Sequence, residues 1–115
     1  MMKSTMFVTF TLLACLMGTL SIAHAACRPA PPASGFAHPG SSCPSGYSRS
    51  GAACVPNNSG ARYAFFNDGG LCPNGYYSNI DSCVANAANA CHAFYIGSGS
   101  CPNGYSKFGN SCLSN

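Results

Sequence analysis

The sequence has no tryptophan and no glutamate, and only 6% of its residues are charged. Asp68 and Asp81 are its only side-chain carboxylates, poor material for the paired-carboxylate chemistry of sugar hydrolysis. Basic residues are scattered. They form no footprint for nucleic acid and no strong attraction to an anionic membrane. No Cys-x-x-Cys occurs, which excludes the usual redox dithiol and the paired ligand spacing of zinc sites. Gly-x-Ser-x-Gly is also missing. Beyond residue 26 there are few Leu, Ile or Val, and the apolar content is mostly Ala, Cys, Phe and Tyr.

The one long apolar run lies at the start. Met1-Met2-Lys3 is followed by an uncharged, mostly apolar stretch from Met6 to Ile22, then by Ala23-His24-Ala25. A positive start, an apolar centre and a small-x-small end describe a secretory signal peptide. The expected leader is 1–25, a helix, with Ala26 the first mature residue. A retained anchor needs about 18–20 continuous apolar residues, and Gly18, Thr19 and Ser21 dilute this run. Leu12-Leu13-Ala14-Cys15 loosely resembles a bacterial lipobox, which would make Cys15 a lipid attachment point. Apolar residues continue past Cys15, where a lipoprotein turns polar, so Cys15 is expected to leave with the leader.

A mature chain of about 90 residues with eleven aromatics cannot offset its ordering entropy by burial. Backbone alone costs about 1–2 kcal/mol per residue, against about 25 cal/mol per Å² of apolar surface buried. Cysteine is the remaining source of stability. Without Cys15, eight remain: Cys27, Cys43, Cys54, Cys72, Cys83, Cys91, Cys101 and Cys112. An even count in a short exported chain reads as a disulfide framework in an oxidising compartment, so the protein is expected to be secreted or periplasmic.

Six of the eight belong to a phrase written three times: CPSGYSRSGAAC from Cys43, CPNGYYSNIDSC from Cys72 and CPNGYSKFGNSC from Cys101, each 29 residues after the last. The recurrence extends to Phe36, Phe65 and Phe94, to Tyr47, Tyr76 and Tyr105, and to Val55, Val84 and Leu113. Such periodicity marks tandem repeats. Pro at the second position of a Cys-Pro-x-Gly turn suits its fixed φ, and Gly tolerates the exit. Tyr then opens an extended segment, a second turn follows, and the chain returns to Cys-Val or Cys-Leu. The phrase reads as a β-hairpin closed by its own two cysteines. A bare hairpin is marginal in water, and a bridge over such a loop adds about 2–3 kcal/mol.

The expected pairs are Cys43–Cys54, Cys72–Cys83 and Cys101–Cys112, sitting at facing ladder positions. The two off-pattern residues, Cys27 and Cys91, are left for each other. An offset scheme through Cys54–Cys72 and Cys83–Cys101 satisfies the same count; symmetry favours the first. The expected fold is small and disulfide-rich, mostly β-hairpins and loops, in three tandem 29-residue Cys-Pro-x-Gly-Tyr repeats over 43–115. Residues 26–42 form a Pro/Ser/Gly-rich segment whose end is the aromatic half of an incomplete repeat. The Ala-rich stretch 84–92 admits a short helix, weakened by Asn.

Candidate chemistry is thin. Cys91-His92 and His38 are the nearest approach to a metal set, Asn89-Ala90-Cys91-His92 lacks the first cysteine of a haem attachment motif, and Asp68, Asp81, His38 and His92 supply triad types without a pattern. No catalytic residue, metal or cofactor is expected, and no enzyme. Asn57-Asn58-Ser59 fits a glycosylation acceptor, incidental beside a leader of bacterial appearance. Aromatics among small polar residues make adaptable contact surfaces. Tyr77, Tyr63, Phe66 and Tyr95 are the binding candidates, with Tyr77 on the opposite side of its strand from Tyr76. The cysteine order is not that of an epidermal-growth-factor-like module. The expectation is a non-enzymatic structural or binding protein of the cell envelope or exterior, contacting glycans or surface proteins without stable membrane insertion. The alternative is a secreted toxin-like, antimicrobial or inhibitor effector, against which the low charge counts.

Overall fold

The computed structural model describes residues 26–115. The expected leader helix, its cleavage site and Cys15 lie outside them. The architecture is small and all-β: three three-stranded antiparallel sheets with four disulfides. The first sheet is built from β1 (Phe36–Ala37), β2 (Tyr47–Ser50) and β3 (Ala53–Pro56). The second uses β4 (Ala64–Phe66), β5 (Tyr76–Ser78) and β6 (Ser82–Ala85), and the third β7 (Ala93–Tyr95), β8 (Tyr105–Phe108) and β9 (Ser111–Ser114). In each, the strand carrying the second cysteine of the phrase lies in the centre, in the orders β1-β3-β2, β4-β6-β5 and β7-β9-β8.

The hairpins are therefore only two-thirds of each sheet. The third strand is the short segment around the recurring Phe, Phe36–Ala37, Ala64–Phe66 or Ala93–Tyr95, which precedes each hairpin. It fills the open edge of the central strand, where unpaired backbone groups would otherwise remain. Phe36, Phe65 and Phe94 face Cys54, Cys83 and Cys112 across the ladder.

Two further expectations are corrected. The turn before each hairpin spans Pro-x-Gly-Tyr, one residue later than proposed. Tyr47, Tyr76 and Tyr105 amides donate to the Pro44, Pro73 and Pro102 carbonyls at 3.1 Å. Gly46, Gly75 and Gly104 occupy the third position at φ +88°, +90° and +89°, the left-handed angle that a type II turn demands there. The disulfides also do not join facing ladder positions. The ladder partners of Cys54 are Phe36 and Arg49, whereas Cys43 precedes β2 and reaches over the sheet face. The bridges are the in-phrase pairs, with Cα separations of 5.6–5.7 Å. Cys27 joins Cys91 at 5.6 Å.

The stretch 84–92 forms no helix. Val84 and Ala85 are taken by the central strand β6. The Asn86 amide donates to the Gly75 carbonyl and the Ala90 amide to Ala87, so the rest is a bend and a turn.

Side chains alternate between the two faces of a strand, and the sheets stack face to face. The aromatic face of the first sheet, with Tyr47 and Cys54, packs on the aliphatic face of the second, with Ala64 and Val84. The aromatic face of the second, with Phe65, Tyr76, Cys83 and Ala85, packs on Ala93, Tyr95 and Leu113 of the third. Within each sheet the Phe and Tyr rings meet edge-on, at 5.4, 5.5 and 5.3 Å for Phe36–Tyr47, Phe65–Tyr76 and Phe94–Tyr105. Such pairs add about 0.5–1.5 kcal/mol beyond burial.

Two tyrosine hydroxyls lock the layers. Tyr47 donates to the Arg62 carbonyl and Tyr76 to the Cys91 carbonyl, both at 2.6 Å. A strap from Cys27 to Ala30 runs beside Ala90–His92, held by Ala30 N–H to Ala90 O, His92 N–H to Arg28 O and the fourth disulfide.

Candidate functional site

The four aromatic candidates do not converge. Tyr63 is part of the layer contact. Its hydroxyl donates to the Ala93 carbonyl at 2.8 Å, and burial pushes its pKa up to about 12, so it stays a protonated hydrogen-bond donor. Phe66 and Tyr95 meet edge-on at 5.4 Å, half-buried, on corresponding strands of adjacent sheets. Tyr77 stands apart on β5, 42% exposed, while Tyr76 is 7% exposed. Strand alternation separates the two, as expected from their phase.

Tyr77 belongs to a set that only comparison of the three phrases reveals. It occupies the position of Ser48 and Ser106. Leu71 occupies the position of Ser42 and Ser100, and Ile80 that of Gly51 and Gly109. Leu71 is 73% and Ile80 47% exposed. The middle copy thus displays three large apolar side chains where both neighbours carry Ser or Gly. Leu71 and Ile80 were missed as candidates because each reads singly as a loop or turn residue. Their signal lies in the departure from the pattern.

The tip of the β5–β6 hairpin is unlike its counterparts. Gly51 and Gly109 open the other two tips at φ +62° and +58°, whereas here Ile80 and Asp81 sit at +50° and +51°. Asn79 and Ser82 exchange both backbone hydrogen bonds around them, at 2.9 and 3.1 Å, as in a type I′ turn. A β-branched residue at positive φ is an outlier, at a cost of about 1–2 kcal/mol.

Two contacts from the first copy brace that tip. Asn79 Oδ1 accepts from the Ser45 amide at 2.9 Å. The Gly40 amide donates to His38 Nδ1 at 3.2 Å, so the ring proton lies on Nε2, which donates to the Ile80 carbonyl at 2.8 Å. His38 is 2% exposed. Arg49 Nη1 donates to its carbonyl at 2.7 Å.

The same geometry describes the residues nominated for chemistry. His38 Nε2 is spent on a carbonyl. His92 Nδ1 and the Tyr105 hydroxyl share a hydrogen bond at 2.7 Å, and the basicity of His92 is lowered by burial first and then by Arg28. Among the described residues neither imidazole hydrogen-bonds an Asp or a Ser side chain. No cluster of three His, Cys, Asp or Glu forms a metal-sized group among them. A groove of about 500 Å³ lies between the strap and the second sheet, lined by Pro31, Pro32, Arg62, Tyr63 and Ala87 among others. No helix among the described residues is long and apolar enough to cross a membrane.

No known protein family, curated protein or solved structure matches the chain. Four disulfides in so small a protein are characteristic of an oxidising environment, outside the cell or in a periplasm.

Proposed function

We propose that the protein is an exported, non-enzymatic binding module of the cell envelope or exterior, made of three tandem repeats behind a cleaved leader of residues 1–25. Its contact surface is the middle copy's display of Leu71, Tyr77 and Ile80. The observation that carries this reading is that all three break the repeat toward apolar, and all three are exposed. A rigid scaffold that holds a costly backbone angle at an exposed Ile has the form of strain stored at a functional site. Exposed apolar groups amid small polar residues are the composition of a contact surface. Two of the three are aliphatic. They suit a protein surface better than a sugar, whose flat face calls for an aromatic ring.

The test is a triple variant, Leu71→Ser, Tyr77→Ser and Ile80→Gly, which writes the neighbouring copies' residues into the middle one. The exported wild type and variant are each cross-linked to intact cell-surface extract, and both are run on a glycan array. The expected result is a partner protein captured by the wild type at least tenfold more than by the variant, with four bridges intact in both. Equal capture by both proteins overturns this surface as the site; binding to glycans alone overturns the protein partner.

A further inference from the structure

Among the described residues the face-to-face contact between sheets occurs twice, and one half of it is left over on the first sheet and the other on the third. Phe65 and Tyr76 on the aromatic face of the second sheet are 6% and 7% exposed, and Tyr47 on the first is 6% exposed, because the next sheet covers them. Phe94 and Tyr105, the same residues of the third sheet, are only half-buried. His92, Phe94 and Ile96, on alternate positions along β7 and its continuation, are all half-buried, with Lys107 exposed beside them on β8. The rim of this face carries one tie from the strap, Arg28 N–H to Ser114 Oγ at 2.8 Å. Among the described residues no sheet stacks on it.

The opposite end shows the complement. Val84 on the aliphatic face of the second sheet is 1% exposed, covered by the first sheet. Its counterpart Val55, on the first sheet, is 36% exposed. Around Val55 lie Gly35, Ala37 and Ser48, all exposed and small. Val55 stands where Val84 of the second sheet and Leu113 of the third stand, and inside the chain those two, with Ala64 and Ala93, are the aliphatic groups on which an aromatic face settles.

We propose that the chain self-associates head to tail, the aromatic face of the third sheet of one copy docking on the aliphatic face of the first sheet of a second. The interface is then a third instance of a contact the chain already makes twice. Stacked repeats bury a continuous core through nearest-neighbour contacts, and the second copy extends the stack in the same direction. Because the two faces differ, the contact is heterologous. It does not close on itself as a two-fold dimer would, and successive copies add along a line.

The test uses the exported chain, with four bridges verified by mass, in sedimentation velocity over roughly a hundredfold range of concentration reaching the submillimolar, where weak interfaces populate. Wild type is expected to rise in weight-average mass with concentration. Val55→Arg blocks the aliphatic end and Ile96→Arg the aromatic end, and each alone is expected to stay monomeric. An equimolar mixture of the two is expected to stop at the dimer, since one good face of each kind survives. Ala37→Arg and Lys107→Glu, at exposed positions of the same two faces, serve if either variant fails to form its bridges. The Leu71, Tyr77, Ile80 triple variant, altered away from both ends, is expected to associate as the wild type does. A wild type that stays monomeric throughout overturns the proposal. So does association that survives Val55→Arg, a mixture that fails to dimerise, or a triple variant that no longer associates.

Discussion

The middle sheet and its two neighbours share one ladder, one turn and one bridge, yet they differ where the chain meets solvent and where it meets itself. The second sheet is covered on both faces. Its central strand, Ser82–Ala85, is buried at every position. The first and third sheets are each covered on one face. The middle copy's hairpin tip holds Ile80 and Asp81 in left-handed conformations, braced from the first copy by His38 and the Ser45 amide. The outer copies use Gly51 and Gly109 at the same tip, with no such cost. Stability and display are thus concentrated in one copy.

The sharpest way to break this contrast is to remove bridges one at a time. Cys83 is fully buried between two layers. Replacing Cys72 and Cys83 together by Ala forfeits the loop-closure contribution, about 3 kcal/mol for a loop of this size, and adds the cost of a cavity, about 1–2 kcal/mol. Cys112 is as fully buried as Cys83, but the rings beside it, Phe94 and Tyr105, are only half-buried and can relax into the gap, so replacing Cys101 and Cys112 costs about 3 kcal/mol with a smaller cavity term. Denaturant unfolding monitored by circular dichroism should rank the middle pair as the more damaging. Equal losses would show that the stacked layers contribute little.

Next in size are the tyrosine locks. Tyr76 is only 7% exposed and sets its hydroxyl on the Cys91 carbonyl within the layer contact; Tyr76→Phe leaves that carbonyl without this donor, at a cost of about 1–3 kcal/mol. Tyr105 bonds a half-buried imidazole, and Tyr105→Phe should cost under about 1 kcal/mol. The same unfolding experiment reads both, and a reversed order would deny that the hydroxyls join layers.

The hairpin tip supplies a change of opposite sign. Ile80→Gly removes a strained residue and should stabilise by about 1 kcal/mol, raising the thermal midpoint with all bridges intact. Gly51→Ile should lower it by a similar amount. A destabilised Ile80→Gly would mean that the Ile side chain is held by packing and not tolerated for display.

How much of this was open to reading follows from the scale of each signal. The bridges were legible because, once Cys15 is set aside with the expected leader, the 29-residue spacing leaves Cys27 and Cys91 as the two cysteines off the pattern. Opposite placement of Tyr76 and Tyr77 followed from strand alternation. The third strand was not legible, since three residues such as Ala-Phe-Phe are too short to show a period of two, and only the central strand's open edge makes them a strand. The turn was displaced by one residue because Pro is compatible with both its first and second positions; the Gly φ values decide. The Ala-rich stretch after Val84 carries helix propensity, but the ladder with Tyr77 and Ala64 claims its start. Leu71 and Ile80 were visible in the sequence as departures from the phrase, though only burial shows that the departures face outward.

The smallest effect concerns His92, whose surroundings are unlike those of the buried His38. His92 is lined by the rings of Tyr63, Phe94 and Tyr105 at 5.6–5.8 Å, with Arg28 as the nearby cation and Lys107 on the same face. Burial first, then Arg28, lowers its affinity for a proton below the ordinary imidazole value of 6.5. The folded chain therefore binds fewer protons than the unfolded one once the pH drops below that value, and stability must fall with falling pH across the interval down to the folded value. Unfolding midpoints measured from pH 7.5 to pH 5 should decline in the wild type and decline less in His92→Gln, the difference being the share carried by His92. Parallel slopes in the two proteins would show that His92 is as freely protonated in the fold as outside it, and that the third sheet's aromatic face is open enough to leave its imidazole in water.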